Sequence, residues 1–303
     1  MLAAPKSTRR LAALAAAFSS AALAVTLAGA PGAEAARPAK STKSLRVATW
    51  APAASAGITP GVQTNTAGSG QCTANFVFTD AAGAVYLGQA AHCASTGAAT
   101  DTDGCLAESL PLGTRVTFNR GGSLLSAGEQ VGAGELVYSS WLTMQGRGES
   151  DANACAYNDF ALVKIDAGDV ADVNPSIPFW GGPVGVNQAG TAAGDRVYSF
   201  GNSGIRFGIE QLSPKTGASL GTDGGGWNHP VYTLTPGVPG DSGSAFLDGE
   251  GKALGTLSTL ALAPLPASNG VGDLFRELSY AQQFSGIGGL KLALGTEPFA
   301  PIL

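Results

Sequence analysis

From Cys72 onward the chain is cut into short runs of β-type residues, each closed within a few positions by Gly, Asp, Asn or Pro. The runs fall at 72–79, 85–89, 135–139, 160–165, 196–200, 231–235, 244–247 and 253–258. Such lengths suit strands, whereas an amphipathic helix needs a sustained apolar period over about ten residues or more. Only 273–284 offers one, with Leu274, Phe275, Leu278 and Ala281, an Asp273 cap and a Gly286 stop. The pattern predicts an all-β chain of sandwich or barrel type with a single C-terminal helix. Composition agrees: 44 Gly and only 13% charged residues argue against a coiled coil or helical bundle, and 44% hydrophobic residues argue against disorder.

Two further stretches divide the chain. Residues 172–184 carry three Pro and a Gly181-Gly182 pair, the least strand-like interior stretch, which predicts a connector between halves at 66–180 and 181–303. Residues 36–65 are rich in Ala, Pro, Ser and Thr without an apolar period, as in a linker or propeptide.

Residues 1–35 have the form of a secretory signal. Lys6, Arg9 and Arg10 precede an Ala/Leu run, Gly29, Pro31 and Gly32 break it, and Ala33-Glu34-Ala35 matches a small-x-small cleavage site. A membrane anchor is the rival reading, but the run is mostly Ala and no second apolar stretch is long enough to span a bilayer. Taking those three cations and Glu34 from 17 basic and 22 acidic residues leaves 14 and 21, a net charge of −7. The mature protein is expected to be secreted, extracellular, free of membrane and monomeric. Its acidity gives no electrostatic reason to bind nucleic acid.

Outside the cell Cys72, Cys93, Cys105 and Cys155 are expected to form two disulfides, with three connectivities open. A zinc site is disfavoured, because no close Cys pair exists and the chain has only two histidines.

Three segments carry chemistry. Gln89-Ala90-Ala91-His92-Cys93 ends one strand, Asn158-Asp159-Phe160-Ala161-Leu162-Val163 opens another, and Pro239-Gly240-Asp241-Ser242-Gly243-Ser244 forms a turn. A serine hydroxyl is a poor nucleophile at neutral pH and needs a base within hydrogen-bond reach. His92 can take that proton and return it to a leaving group, and a carboxylate behind it, Asp159, would fix its tautomer. Asp151 and Asp166 are the alternative acids. The N–H groups of Gly240 and Ser242 would form an oxyanion hole. His229, in Trp227-Asn228-His229-Pro230, suits a loop or pocket rim better than catalysis, and the Gly-rich stretch 221–226 lacks the Lys of a phosphate-binding loop.

In Ala91-His92-Cys93, Asp159-Phe160-Ala161-Leu162 and Gly240-Asp241-Ser242-Gly243, taken in that order, the sequence resembles the trypsin/chymotrypsin-like serine peptidase family, particularly its secreted bacterial members. Gly255-Thr256-Leu257-Ser258 and Gly270-Val271 add to the resemblance, which spans roughly residues 70–285. It implies two perpendicular antiparallel β-barrels with the active site between them, His92 and Asp159 on the first and Ser242 on the second. It also implies a Cys72–Cys93 disulfide, and with it Cys105–Cys155.

The activity implied is that of a serine endopeptidase acting on protein or peptide substrates through an acyl-enzyme, without metal or organic cofactor. The family's substrate pocket maps onto Pro236 at its base, the wall strand from Ser258 through Leu260, and Gly270 opposite. Pro236 offers no charge to an Arg or Lys side chain, so strict basic specificity is not expected, and Leu260 narrows the slot toward small or medium aliphatic residues. The sequence departs from the pattern in lacking the Ile-Val-Gly-Gly-like start whose new amine pairs with the residue at Asp241. A catalytically silent peptidase-like secreted binding protein is the alternative. An α/β-hydrolase esterase fits poorly, since Gly243 follows Ser242 directly and the order Ser, acid, His is absent.

Overall fold

The structure is a computed structural model that describes residues 49–98, 101–261 and 266–301. The signal segment expected over 1–35 lies outside the described residues.

Strands β1 (Gln63–Thr66), β2 (Gln71–Thr73), β3 (Val77–Thr79), β4 (Val85–Gln89), β5 (Arg115–Arg120) and β6 (Glu129–Ser139) lead into helices α1 (Ser140–Arg147) and α2 (Ala152–Tyr157). Then follow β7 (Ala161–Ile165), β8 (Ala193–Phe200), β9 (Pro214–Leu220), β10 (Asn228–Thr233), β11 (Ala245–Asp248), β12 (Ala253–Leu260) and β13 (Asn269–Asp273). Helix α3 (Leu274–Phe284) and the short β14 (Lys291–Leu292) complete the chain. The fold is mostly β, in two antiparallel sheets. One is eight-stranded, in the order β14-β3-β4-β7-β6-β5-β1-β2, and the other is a closed six-stranded barrel, β10-β13-β12-β11-β8-β9.

Side-chain alternation explains how the sheets pack. In the central strand β7, Val163 points into the first sheet's own core with Leu87, Val116 and Phe118. Its neighbour Leu162 points the other way, into a second cluster with Phe76, Phe160, Trp180, Tyr198 and Leu247. That second cluster draws side chains from both sheets, so it joins the two halves. The barrel keeps a separate core of Val197, Val231, Phe246, Leu254, Leu257 and Val271.

Helix α3 forms where the apolar period places it, with the Asp273 carboxylate accepting the N–H of Arg276 at 2.8 Å. Helices α1 and α2 are additions to the expected architecture. Ser139 and Asp151 cap their starts, and Gly148, at φ 65°, ends the first. At eight and six residues they are too short to display a period.

The expected linker needs correction. Ile58, Val62 and Gln63 are buried and β1 is an interior strand of the first sheet, so the described part of 36–65 belongs to the fold. Isolated apolar residues among Thr, Pro and Gly conceal this, because no period develops in so short a stretch. At the other end, β14 pairs with β3, which returns the C-terminus to the first sheet rather than the barrel.

Candidate active site

Residues of both sheets line a cleft of about 490 Å³. His92 enters it from a 3-10 turn, Ala91–Ala94, directly after β4. Its Nδ1 lies 2.6 Å from Asp159 Oδ2, and its backbone N–H donates to Oδ1 at 2.8 Å. The Ser258 hydroxyl also donates to Oδ2, at 2.6 Å. Burial by itself would push the His92 pKa down, but the Asp159 carboxylate outweighs it and the pKa is raised above 6.5. Burial likewise opposes ionisation of Asp159, yet His92 and Ser258 hold its pKa below the usual 3.8.

Asp159 stands between α2 and β7, and its flanking backbone is fixed. The Ser140 hydroxyl accepts the N–H of Phe160 at 3.0 Å and donates to the carbonyl of Asn158 at 2.7 Å. The N–H of Asp159 itself donates to Glu277 Oε1 on α3, at 3.3 Å. Neither alternative acid comes near this arrangement: Asp151 caps α2, and Asp166 pairs with Arg115 on the surface.

Ser242 faces the same cleft from the turn before β11. Its carbonyl accepts the N–H of Thr73 at 2.8 Å, which ties the turn to the first sheet. Gly243 is obligatory here: φ is +87°, and a Cβ would lie 2.6 Å from the Thr73 carbonyl oxygen. Among the described residues no hydrogen bond joins Ser242 Oγ to His92, and none is made by the N–H groups of Gly240 and Ser242. The N–H groups of Asp241, Gly243 and Ser244 in the same turn are all satisfied. The Pro239 carbonyl accepts from Ser203 Oγ at 2.5 Å, so the trans peptide turns the Gly240 N–H away from Ser203.

Asp241 meets the partners that the sequence left open. Both its oxygens bond the guanidinium of Arg206, Lys215 Nζ lies 3.1 Å away, and the N–H groups of Ser203 and Val238 donate at 3.1 Å. Lys215 is fully buried, and burial lowers its pKa against the opposing pull of Asp241. Its ammonium also donates to the carbonyls of Thr235 and Pro236.

The residues expected to form a substrate pocket are not all brought together. Ser258 and Leu260 line the cleft, but Pro236 and Gly270 do not. Pro236 is tied back by Lys215, and Gly270 faces Thr259, whose Oγ1 would lie 2.5 Å from a Cβ there. Asn269, missed in the sequence, lines the cleft beside Ser258 and Leu260. Its carboxamide accepts the N–H of Gly237 at 2.7 Å and donates to the carbonyls of Gly237 at 3.2 Å and Thr259 at 3.1 Å. A Cβ on Gly237 would meet Asn269 Nδ2 and Leu257 Cδ2, each at 2.9 Å, so both side chains pack directly against Gly237.

His229 is not on a rim. It is fully buried in β10, with Nε2 2.9 Å from Asp273 and Nδ1 beside the hydroxyls of Thr191 and Thr222. The four cysteines form Cys72–Cys93 and Cys105–Cys155 disulfides, which withdraws the sulfurs beside His92 from metal ligation. Among the described residues no helix is long and apolar enough to cross a membrane.

No protein-family model matches the chain, and no curated protein matches it. Among solved structures it is similar to Thermobifida fusca protease A, at 16% identity over 78% of this chain and 99% of that one, with a TM-score of 0.45. The Nocardiopsis protease NAPase is 18% identical over 78% and 98% of the two chains, with a TM-score of 0.43. Cellulomonas bogoriensis chymotrypsin is 16% identical over the same shares, with a TM-score of 0.44. Each of these three solved structures is a bacterial protease, and each is what the chain is similar to.

Proposed function

We propose that the protein is a secreted serine endopeptidase that hydrolyses peptide bonds through an acyl-enzyme. The observation that carries this reading is the pairing of His92 with Asp159 in a cleft that also holds Ser242 and two unpartnered backbone N–H groups. With Nδ1 bound to the carboxylate, Nε2 is left as the basic nitrogen. Ser242 attacks the carbonyl carbon as His92 takes the hydroxyl proton. The Gly240 and Ser242 N–H groups receive the oxyanion, and the imidazolium, held by Asp159, protonates the departing amine. Water then repeats the sequence to release the acid. The missing Ser242–His92 hydrogen bond is one that substrate closure supplies, since such contacts are often long in free enzymes.

Asn269 and Leu257, packed against Gly237 in the cleft, support a preference for small residues on the acyl side of the scissile bond. Export is by the signal at 1–35, and the mature protein acts as a monomer without cofactor.

A fluorophosphonate probe on the secreted protein tests the reading, with intact mass as the readout. One adduct on wild type and none on Ser242→Ala is expected. No adduct on folded wild type overturns it in favour of a catalytically silent binding protein.

A further inference from the structure

Glu277 is a buried carboxyl that the chemistry above does not use. It is fully inaccessible, one turn into α3, and its two oxygens divide between two elements. Oε1 accepts the N–H of Asp159, while Oε2 accepts the hydroxyl of Thr256 on β12 at 2.8 Å. Two residues further along β12, Ser258 donates to the Asp159 carboxylate. Gly272 on β13 makes room for this carboxyl, since a Cβ there would lie 2.4 Å from Oε1. The space is thus shaped for a carboxyl group, and that group reaches the backbone of Asp159.

Its charge state follows from what surrounds it. The charged groups that face it are the carboxylates of Asp159 and Asp273, each turned to its own histidine, His92 and His229, and the Tyr138 phenol is also near. Among the described residues no cation pairs with Glu277. A buried carboxylate with no cation and two like charges close by is strongly disfavoured. Burial, with those carboxylates, accordingly raises its pKa well above the ordinary value.

We infer that Glu277 is a neutral positioning residue: as a carboxylic acid it holds the backbone of Asp159 so that its carboxylate meets His92, without adding a second negative charge behind the imidazole. The inference rests on the endopeptidase reading. Oε1 then stays the carbonyl oxygen that accepts from Asp159, and protonation at Oε2 reverses the hydrogen bond that the Thr256 hydroxyl otherwise donates to it, so that Oε2 donates to Thr256 Oγ1. A glutamine reproduces both contacts without charge.

The test compares Glu277→Gln, Glu277→Ala and Thr256→Val in full-length secreted protein. Glu277→Gln is expected to keep kcat within about two-fold and to leave the acid limb of the pH–rate profile in place. Glu277→Ala strips the Asp159 N–H of its acceptor and is expected to lower kcat roughly ten-fold or more, with KM little changed. If that variant does not fold, Thr256→Val, which frees the other oxygen at constant volume, is expected to lower kcat in the same sense.

Stability against pH gives an independent readout. A carboxyl with a raised folded pKa binds its proton in the folded state while the unfolded chain releases it above pH 4.5, so wild-type stability falls as pH rises through that range. Glutamine has no such loss, so the denaturation midpoint of Glu277→Gln should gain on wild type steadily above pH 4.5. A gap that does not change with pH, a shifted acid limb in Glu277→Gln, or wild-type kcat in folded Glu277→Ala would each overturn the inference. Fluorophosphonate labelling separates the two readings: unreactive wild type sinks the peptidase reading itself, whereas reactive wild type labelled no faster than Glu277→Ala sinks only the role of Glu277.

Discussion

Arg206 bonds both carboxylate oxygens of Asp241, the residue directly before Ser242, and Lys215 Nζ stands 3.1 Å from the same carboxylate. One buried anion thus serves two cations, and the turn bearing Ser242 is anchored without any contribution from a cleaved N-terminus. The two cations are not equivalent under substitution. Arg206→Met leaves Lys215 to neutralise Asp241, so its cost should fall below the about 3–5 kcal/mol of an orphaned buried charge. Asp241→Asn leaves two buried cations without a counter-charge and should reach that range or exceed it. Urea denaturation of both variants measures the difference, and equal losses would contradict the shared-anion account.

The His92–Asp159 pair sets the pH behaviour. Catalysis needs neutral His92, whose pKa is raised, so kcat/KM should rise with pH through a midpoint above 6.5. The folding linkage has two signs. The raised His92 pKa stabilises the fold fully below 6.5 and this is lost as pH climbs through the folded value. The depressed Asp159 pKa stabilises it above 3.8 and this is lost as pH falls through the folded value. Ser258→Ala removes one donor from the carboxylate and should lower kcat about 10–150-fold, since a hydrogen bond to a charged group is worth about 1.5–3 kcal/mol. Rate profiles of wild type and Ser258→Ala check both statements.

Asn269 governs the slot. Its carboxamide bridges Gly237 and Thr259, and Leu257 packs against the same glycine. Asn269→Gly removes the bridge and should raise kcat/KM for Leu relative to Ala on the acyl side by about 10–200-fold, the range given by a methylene's worth of pocket. A peptide library cleaved by both proteins reads this directly. An unchanged profile would show that Asn269 swings aside in the wild type.

These residues also mark where legibility ends. His92 stands out because the chain has only two histidines, and Asp159 and Ser242 stand out because each lies in a short contiguous segment that can be read without knowing the fold. Strand runs were visible for the same local reason, and so was α3, long enough to show its period. Glu277, Arg206, Lys215 and Asn269 act across 118, 35, 26 and 32 positions, on Asp159, Asp241, Asp241 and Gly237 respectively. Only the closed barrel and the packing of α3 against it create those meetings. Pro236 and Gly270 do not line the cleft, and Gly270 is paired with Thr259 just past the bulge of β12 between Leu257 and Thr259, a register that a strand-by-strand reading of the sequence does not reveal.

The second disulfide offers a test that separates stability from chemistry. Cys105 and Cys155 are 50 positions apart, and a loop of that length gives about 4 kcal/mol in the chain-entropy account, with about 2–4 typical. The loop beside the cleft has other restraints, however. Gln145 on α1 donates to the carbonyls of Gly104 at 2.9 Å and Ala107 at 2.7 Å, and a Cβ on Gly104 would meet the ring of Trp141 at 2.3 Å. Trp141 in turn lines the cleft beside His92, with ring centroids 6.4 Å apart. Replacing both cysteines by serine should therefore lower stability by about 2–4 kcal/mol while α1 still holds the loop in place. Ser242 should then acylate at close to the wild-type rate in folded protein. Loss of labelling with folding intact would mean that the disulfide, rather than α1, sets the cleft wall.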